Sequence, residues 1–335
     1  MTPLFVSLDE YLIASLPELW FAVVMLALGM YVFLDGFDFG IGMLYATCET
    51  DAERETLMAA FGPIWKANEV WLVGFGTFLI AAFPPVYARL LSEHYLLAIA
   101  ILFALIARGV APKLREERED EAWQKTCDRS FVLGSAVSPL LLGTLVGSWI
   151  FGTGTLSLPA VLTGVVVVAL SLSTGAALLG LKTDGALRDR MARYGRAGVV
   201  GYLGAVVLLL AVAVALDAGA IRSVVTSVPG VVVVLSTVGL GVAAFAFAGR
   251  GADRAWFAST AGLALALLAV VISLLYPTIY PAAEMTVREA IVSPIPLNVS
   301  TIIGLPVLAL VLGYFVYLYS IFSGPVDEHT FEDGY

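Results

Sequence analysis

Residues Leu19 to Tyr45 read LWFAVVMLALGMYVFLDGFDFGIGMLY, a run with no charge before Asp35 and then two aspartates three residues apart among glycines and phenylalanines. About 20 apolar residues in a helix cross a hydrocarbon core of ~30 Å, so this stretch predicts a membrane span. It is too long for the apolar core of a cleavable signal, and the residues before it lack a basic start, so the span is expected to be retained. Blocks of similar character recur at 70–91, 95–111, 131–151, 159–181, 197–216, 228–249, 256–276 and 299–322. The expectation is an all-α integral membrane protein, a single polytopic domain of about nine transmembrane helices. The composition agrees: 60% apolar and 13% charged residues, with a mean hydropathy of +0.93, against about half apolar and a quarter charged in soluble domains.

The basic residues orient the spans. Of the 18 lysines and arginines, all but Arg89, Arg222 and Arg288 fall in or beside the alternate loops that follow the first, third, fifth and seventh blocks. Positive loops stay cytoplasmic, which places the N-terminus outside and the C-terminus in the cytoplasm of a cell-membrane protein. A net charge of −9 argues against nucleic acid, or anionic lipid headgroups, as main partners. Cys48 and Cys127 lack metal or redox spacing and fall on the cytoplasmic side, so they are expected to be unpaired.

Chemistry is concentrated in the first third of the chain. Carboxylates inside a span are costly and usually functional, and Asp35 and Asp38 share a helix face. Two close carboxylates in a low dielectric resist double ionisation, which suits taking up and passing on a proton; the alternative is simple solvation at the cytoplasmic end of a long span. Gly36, Gly40 and Gly42 predict close helix packing. The returning segment Gly62-Pro63-Ile64-Trp65-Lys66-Ala67-Asn68-Glu69-Val70-Trp71-Leu72 supplies interfacial Trp65 and Trp71, Asn68 as a plausible N-cap, and Lys66 and Glu69 at the same face as the aspartates. The fifth to eighth spans, nearly pure Val, Leu, Ala and Gly, read as lipid-facing scaffold. Phe83-Pro84-Pro85-Val86-Tyr87-Ala88 and Tyr276-Pro277-Thr278-Ile279-Tyr280-Pro281-Ala282 form an echo that fits either two related halves or the preference of Pro and Tyr for span ends. The only histidines are His94 and His329; without a transmembrane pair, no haem or metal is expected to be ligated by this chain.

At these residues the sequence resembles subunit II of cytochrome bd-type ubiquinol oxidases, the CydB family. The likeness runs through Leu34-Asp35-Gly36-Phe37-Asp38-Phe39-Gly40-Ile41-Gly42, Gly62-Pro63-Ile64-Trp65, Asn68-Glu69-Val70-Trp71-Leu72 and Ala81-Ala82-Phe83-Pro84-Pro85-Val86-Tyr87. It continues in Arg108-Gly109-Val110, Gly134-Ser135 with Pro139-Leu140-Leu141-Leu142-Gly143, and Tyr314 with Tyr317-Leu318-Tyr319. It is close over the first 150 residues and a matter of layout beyond them. The resemblance implies two four-helix bundles plus a peripheral helix, in a heterodimer with a subunit I that carries haems b and d and the quinol site. This chain would stabilise that pair and line part of a cytoplasmic proton path, with Asp38 as the family's acid at the end of the first helix and Trp65 as its interfacial tryptophan. The family usually places an acid directly after that tryptophan, where this chain has Lys66. The competing reading from the residues alone is a proton-coupled secondary transporter, which would need polar groups near the bilayer midplane in broken helices.

Overall fold

A computed structural model describes residues 9–321 apart from Pro63 and Gly219. His329 and the tail carboxylates lie outside the described residues, as does the last residue of the expected ninth span. Among the described residues nine long helices carry the fold: α1 (Leu16–Leu44), α2 (Trp65–Ala82), α3 (Tyr95–Glu116), α4 (Glu121–Phe151), α5 (Leu158–Lys182), α6 (Gly185–Ala215), α7 (Val228–Arg250), α8 (Asp253–Leu275) and α9 (Pro294–Ile321). There is no strand among the described residues, only an isolated bridge between Tyr280 and Met285.

Eight of these helices are long and apolar enough to cross a membrane; the exception, α2, opens with the polar turn that holds Lys66, Asn68 and Glu69. The expected span at 70–91 is therefore two helices, α2 and a short one at Pro84–Glu93. They break at Phe83 because Pro84 and Pro85 offer no N–H to continue α2 but suit the first turn of a new helix. The later echo motif has a different shape, ending in a single turn of tighter helix at Pro281–Ala283. Helices α4 and α6 begin at Glu121 and Gly185, well before their apolar blocks. Their N-terminal turns carry the charged residues, and Cys127 lies among them on α4.

Helices α1–α4 form one bundle and α5–α8 a second, with α1 and α4 of the first packed on α5 of the second. Helix α9 lies at the periphery: 6% of its apolar stretch is buried, against 67% of α5. This corrects one expectation. The fifth span is the wall shared by both bundles, whereas α7, at 22%, does face outward. The reason lies in its small residues. A Cβ on Gly40 would stand 2.0 Å from the Ser171 carbonyl oxygen and 2.7 Å from the Gly175 Cα, and α4 meets α5 in the same way at Gly143 and Gly164. Backbones this close are the means by which membrane helices associate without a hydrophobic drive between them. A Cβ on Gly42 would meet Ser135 Oγ at 2.0 Å, whereas one on Gly36 would have an ordinary 3.6 Å neighbour.

At one end, the connection between α8 and α9 laces the helix ends of the first bundle. Trp149 Nε1 donates to the Ile279 carbonyl at 2.8 Å, Tyr280 Oη donates to Glu93 at 2.6 Å, and Val292 N donates to the Ala82 carbonyl at 2.9 Å. At the other, basic end, Arg190 of α6 holds the short helix Asp51–Phe61 through Glu53 at 2.8 Å and Glu49 at 3.2 Å. The Arg190 guanidinium keeps the Glu53 carboxyl below the usual glutamate range. Cys48 and Cys127 are both buried and unpaired, and burial pushes the Cys48 thiol up to about 11.

Candidate functional site

The two aspartates of α1 are fully buried, and so is the group that answers them, Arg108 of α3. Its Nη1 lies 2.8 Å from Asp35 Oδ1, and its Nη2 lies 3.9 Å from Asp38 Oδ2. The guanidinium also rests over the rings of Phe39, at 4.4 Å, and Phe61, at 5.5 Å, a cation–π setting for a desolvated cation. Helix α4 closes on Arg108 because Gly134 has no side chain: a Cβ there would stand 2.7 Å from the Arg108 nitrogen.

Asn68 occupies the other side of Asp38. The N-cap expectation fails, because α2 begins three residues earlier at Trp65, with Ile64 at the cap. Asn68 is instead fully buried inside the helix. Its Nδ2 donates to Asp38 Oδ2 at 2.8 Å, and its Oδ1 accepts from Tyr319 Oη of α9 at 2.7 Å. A chain of contacts thus runs from Tyr319 through Asn68 and Asp38 to Arg108 and Asp35. Around it, the hydroxyls of Ser135, Ser138 and Ser171 are buried without a hydrogen-bond partner, and the Tyr31 hydroxyl stands beside Asp35. Tyr31, Gly36, Phe39 and Ser171 line a cavity of about 80 Å³ beside the cluster.

The other expected site residues divide. Glu69 is half-buried on the turn that carries Asn68, while Lys66 is exposed. Lys66 makes no ion pair with Asp38 or Glu69 among the described residues; its ammonium lies 5.8 Å from the Trp65 ring. Trp65 stacks on Phe61 at 5.5 Å, and Trp71 is buried against Phe315 of α9 at 5.4 Å. Trp65 and Phe61 also form a wall of a cavity of about 230 Å³ at the basic end, together with Arg54, Arg115, Glu116 and Asp128. One aromatic layer therefore separates this cavity from Arg108.

Arg108 and Tyr319 were not singled out from the sequence as members of the site. Arg108 had a signal, a charge inside the apolar block 95–111, but it reads equally as one more basic residue near a loop. His94, the only histidine among the described residues, is buried with Nδ1 3.0 Å from the Leu90 carbonyl and Nε2 3.0 Å from Ser148 Oγ. Both nitrogens are engaged, so it does not fit the part of a haem ligand. The cluster sets two buried carboxyl groups against one guanidinium, and two close carboxyls in a low dielectric resist double ionisation.

Comparison with known proteins gives a consistent result. A family described as cytochrome bd terminal oxidase subunit II matches residues 16–322. The cytochrome bd ubiquinol oxidase subunit 2 of Bacillus subtilis is 31% identical over 336 residues, covering 94% of this chain and 98% of that protein. The cytochrome bd-I ubiquinol oxidase subunit 2 of Escherichia coli K12 is 34% identical over 189 residues, about half of each chain. The structure of the bd oxidase from Geobacillus thermodenitrificans shares the fold, with a TM-score of 0.74 at 16% identity over 92% of this chain and 98% of that one. The residues that carry the buried charge cluster thus sit in a multi-pass membrane protein that belongs to the cytochrome bd terminal oxidase subunit II family.

Proposed function

We propose that this chain is the non-haem subunit of a quinol:oxygen oxidoreductase, paired as a heterodimer with a haem-bearing subunit I, and that its buried cluster is a station on a proton path from the cytoplasm. In this reading the basic end faces the cytoplasm and the N-terminus lies outside. Haems b and d in the partner would carry electrons from quinol to oxygen.

The observation that supports the proton role is the asymmetry of the two aspartates around one cation. Asp35 makes the 2.8 Å contact with Arg108 and keeps its charge matched. Asp38, 3.9 Å from the same guanidinium, has one oxygen held by the neutral Asn68 amide. Its other oxygen, Oδ1, has no hydrogen-bond partner and is the atom on which a proton is taken up and released. The cluster then alternates between one net negative charge and none. The cavity behind Phe61 and Trp65 is the approach from the basic end, and Lys66 stands outside its lining. The transporter alternative has no comparable support, since the polar groups gather toward one end of the first bundle.

The test is Asp38→Asn in the purified complex. Oxygen consumption with quinol is expected to slow several-fold while the reduced-minus-oxidised haem spectrum keeps its amplitude. Unchanged turnover in an intact complex would remove Asp38 from the path. Purification of the tagged chain without any haem protein would remove the pairing.

A further inference from the structure

Arg196 of α6 stands at the membrane edge, one residue before the apolar block 197–216, and no carboxylate pairs with it among the described residues. It lies eleven residues beyond Gly185, where α6 starts, or about 16 Å along the helix at 1.5 Å per residue. Side chains on a helix lean toward its N-terminus, here the basic end, so Arg196 reaches back toward the surface. Its guanidinium carbon stands 4.0 Å from the Phe245 ring centroid. Its Nη1 lies 3.6 Å from where a Cβ on Gly249 would be, which puts the head group level with the last turn of α7. Its Nε is buried without a hydrogen-bond partner. Asp189 and Asp253, the acids at this end of α6 and α8, both pair with Arg188. Arg193, three residues before Arg196 on the same face, is exposed.

We infer that the groove between α6 and α7 at the basic end binds the headgroup of an anionic phospholipid. Arg196 supplies the planar fork that suits a phosphodiester, preset by its stacking on Phe245. Gly249 leaves the backbone of α7 bare where the headgroup approaches, Arg193 adds a second positive charge, and the apolar outer face of α7 receives the acyl chains. The position argues for lipid over free phosphate, because the head group lies at the last turn of a lipid-facing helix. The chain's net charge of −9 does not oppose this, since solvent-exposed charges farther away than a Debye length of about 8 Å are largely screened at physiological salt.

The complex, purified in mild detergent and stripped of lipid, is titrated with phosphatidylglycerol or phosphatidylcholine in mixed micelles. Thermal unfolding and native mass spectrometry read out the binding. Phosphatidylglycerol is expected to raise the melting temperature more than phosphatidylcholine does. Arg196→Gln should raise the half-saturating phosphatidylglycerol concentration about tenfold, the loss of one charge-assisted hydrogen bond. Arg196→Lys and Arg193→Gln should fall between it and the wild type, so the site stays testable if one variant fails to assemble. Equal stabilisation by the two lipids, or no change in any variant, would overturn the proposal. Competition by millimolar inorganic phosphate would reassign the site to a free anion. Loss of the partner subunit at unchanged lipid retention would make Arg196 a subunit contact instead.

Discussion

Replacing Arg108 with Met would keep an apolar stem of similar length and remove the guanidinium, with its charge and its contacts to Phe39 and Phe61. Both aspartates would then be left in a site where neither they nor the arginine has measurable exposure beyond 1%. Breaking a buried ion pair from one side costs about 3–5 kcal/mol, because the partner charge stays desolvated and unanswered. Here one guanidinium answers two carboxylates, so the upper end of that range applies. Removing one of the two carboxylates as well should restore part of that stability. Asp35→Asn combined with Arg108→Met leaves Asp38, which retains the 2.8 Å hydrogen bond from Asn68. Asp38→Asn combined with Arg108→Met leaves Asp35, which has the looser approach of the Tyr31 hydroxyl in place of such a bond, and should rescue less. The assay is fluorescence-detected size exclusion after a temperature ramp, on the single variant and both double variants. The ordering expected is wild type, then the Asp35 double, then the Asp38 double, then Arg108→Met alone. If Arg108→Met alone matches the wild type, or if neither double variant exceeds it, the ion-pair argument is wrong.

Gly40→Ala should destabilise by about 1–3 kcal/mol or more, as overpacking does, because the new methyl meets backbone at 2.0 Å; Gly36→Ala, with 3.6 Å of room, should be near neutral. Thermal melting of the two variants side by side checks this. Tyr319→Phe removes the 2.7 Å hydrogen bond to Asn68 and should cost about 1 kcal/mol, a loss that disappears when Asn68 is already Ala in a double-mutant cycle. The Glu53–Arg190 tie gives a pH signature. Glu53 has a folded value below its unfolded one, so its contribution is complete above the unfolded value of about 4.3 and is lost as pH falls through the folded value. The melting difference between wild type and Glu53→Gln should therefore be constant near neutrality and shrink in acid. A difference that grows in acid would contradict the pairing.

Much of the fold and part of the site can be read in the sequence, for different reasons. Apolar length and loop charge report directly on spans, and Asp35 and Asp38 stand out because nothing around them is polar. Arg108 is separated from them by some seventy residues, and only packing across α1, α3 and α4 turns a basic residue near a span end into their counter-ion. Asn68 satisfies local capping preferences so well that its tertiary role is hidden; the decisive fact, that α2 starts at Trp65, belongs to the helix as a whole. The place of α5 is invisible to hydropathy, because a lipid tail and a neighbouring helix are equally apolar. Its informative residues were the small ones, Gly164, Ser171 and Gly175, which are unremarkable until their counterparts on α1 and α4 are known.

The seam along α5 has a consequence for how the chain could be made. The link between α4 and α5 is short, from Gly152 to Ser157, whereas the surfaces on its two sides interlock over the length of a helix. Chain continuity there contributes little to holding the halves in register. Two separately translated fragments, α1–α4 and α5–α9, would carry complementary faces and assemble in one membrane into the same body.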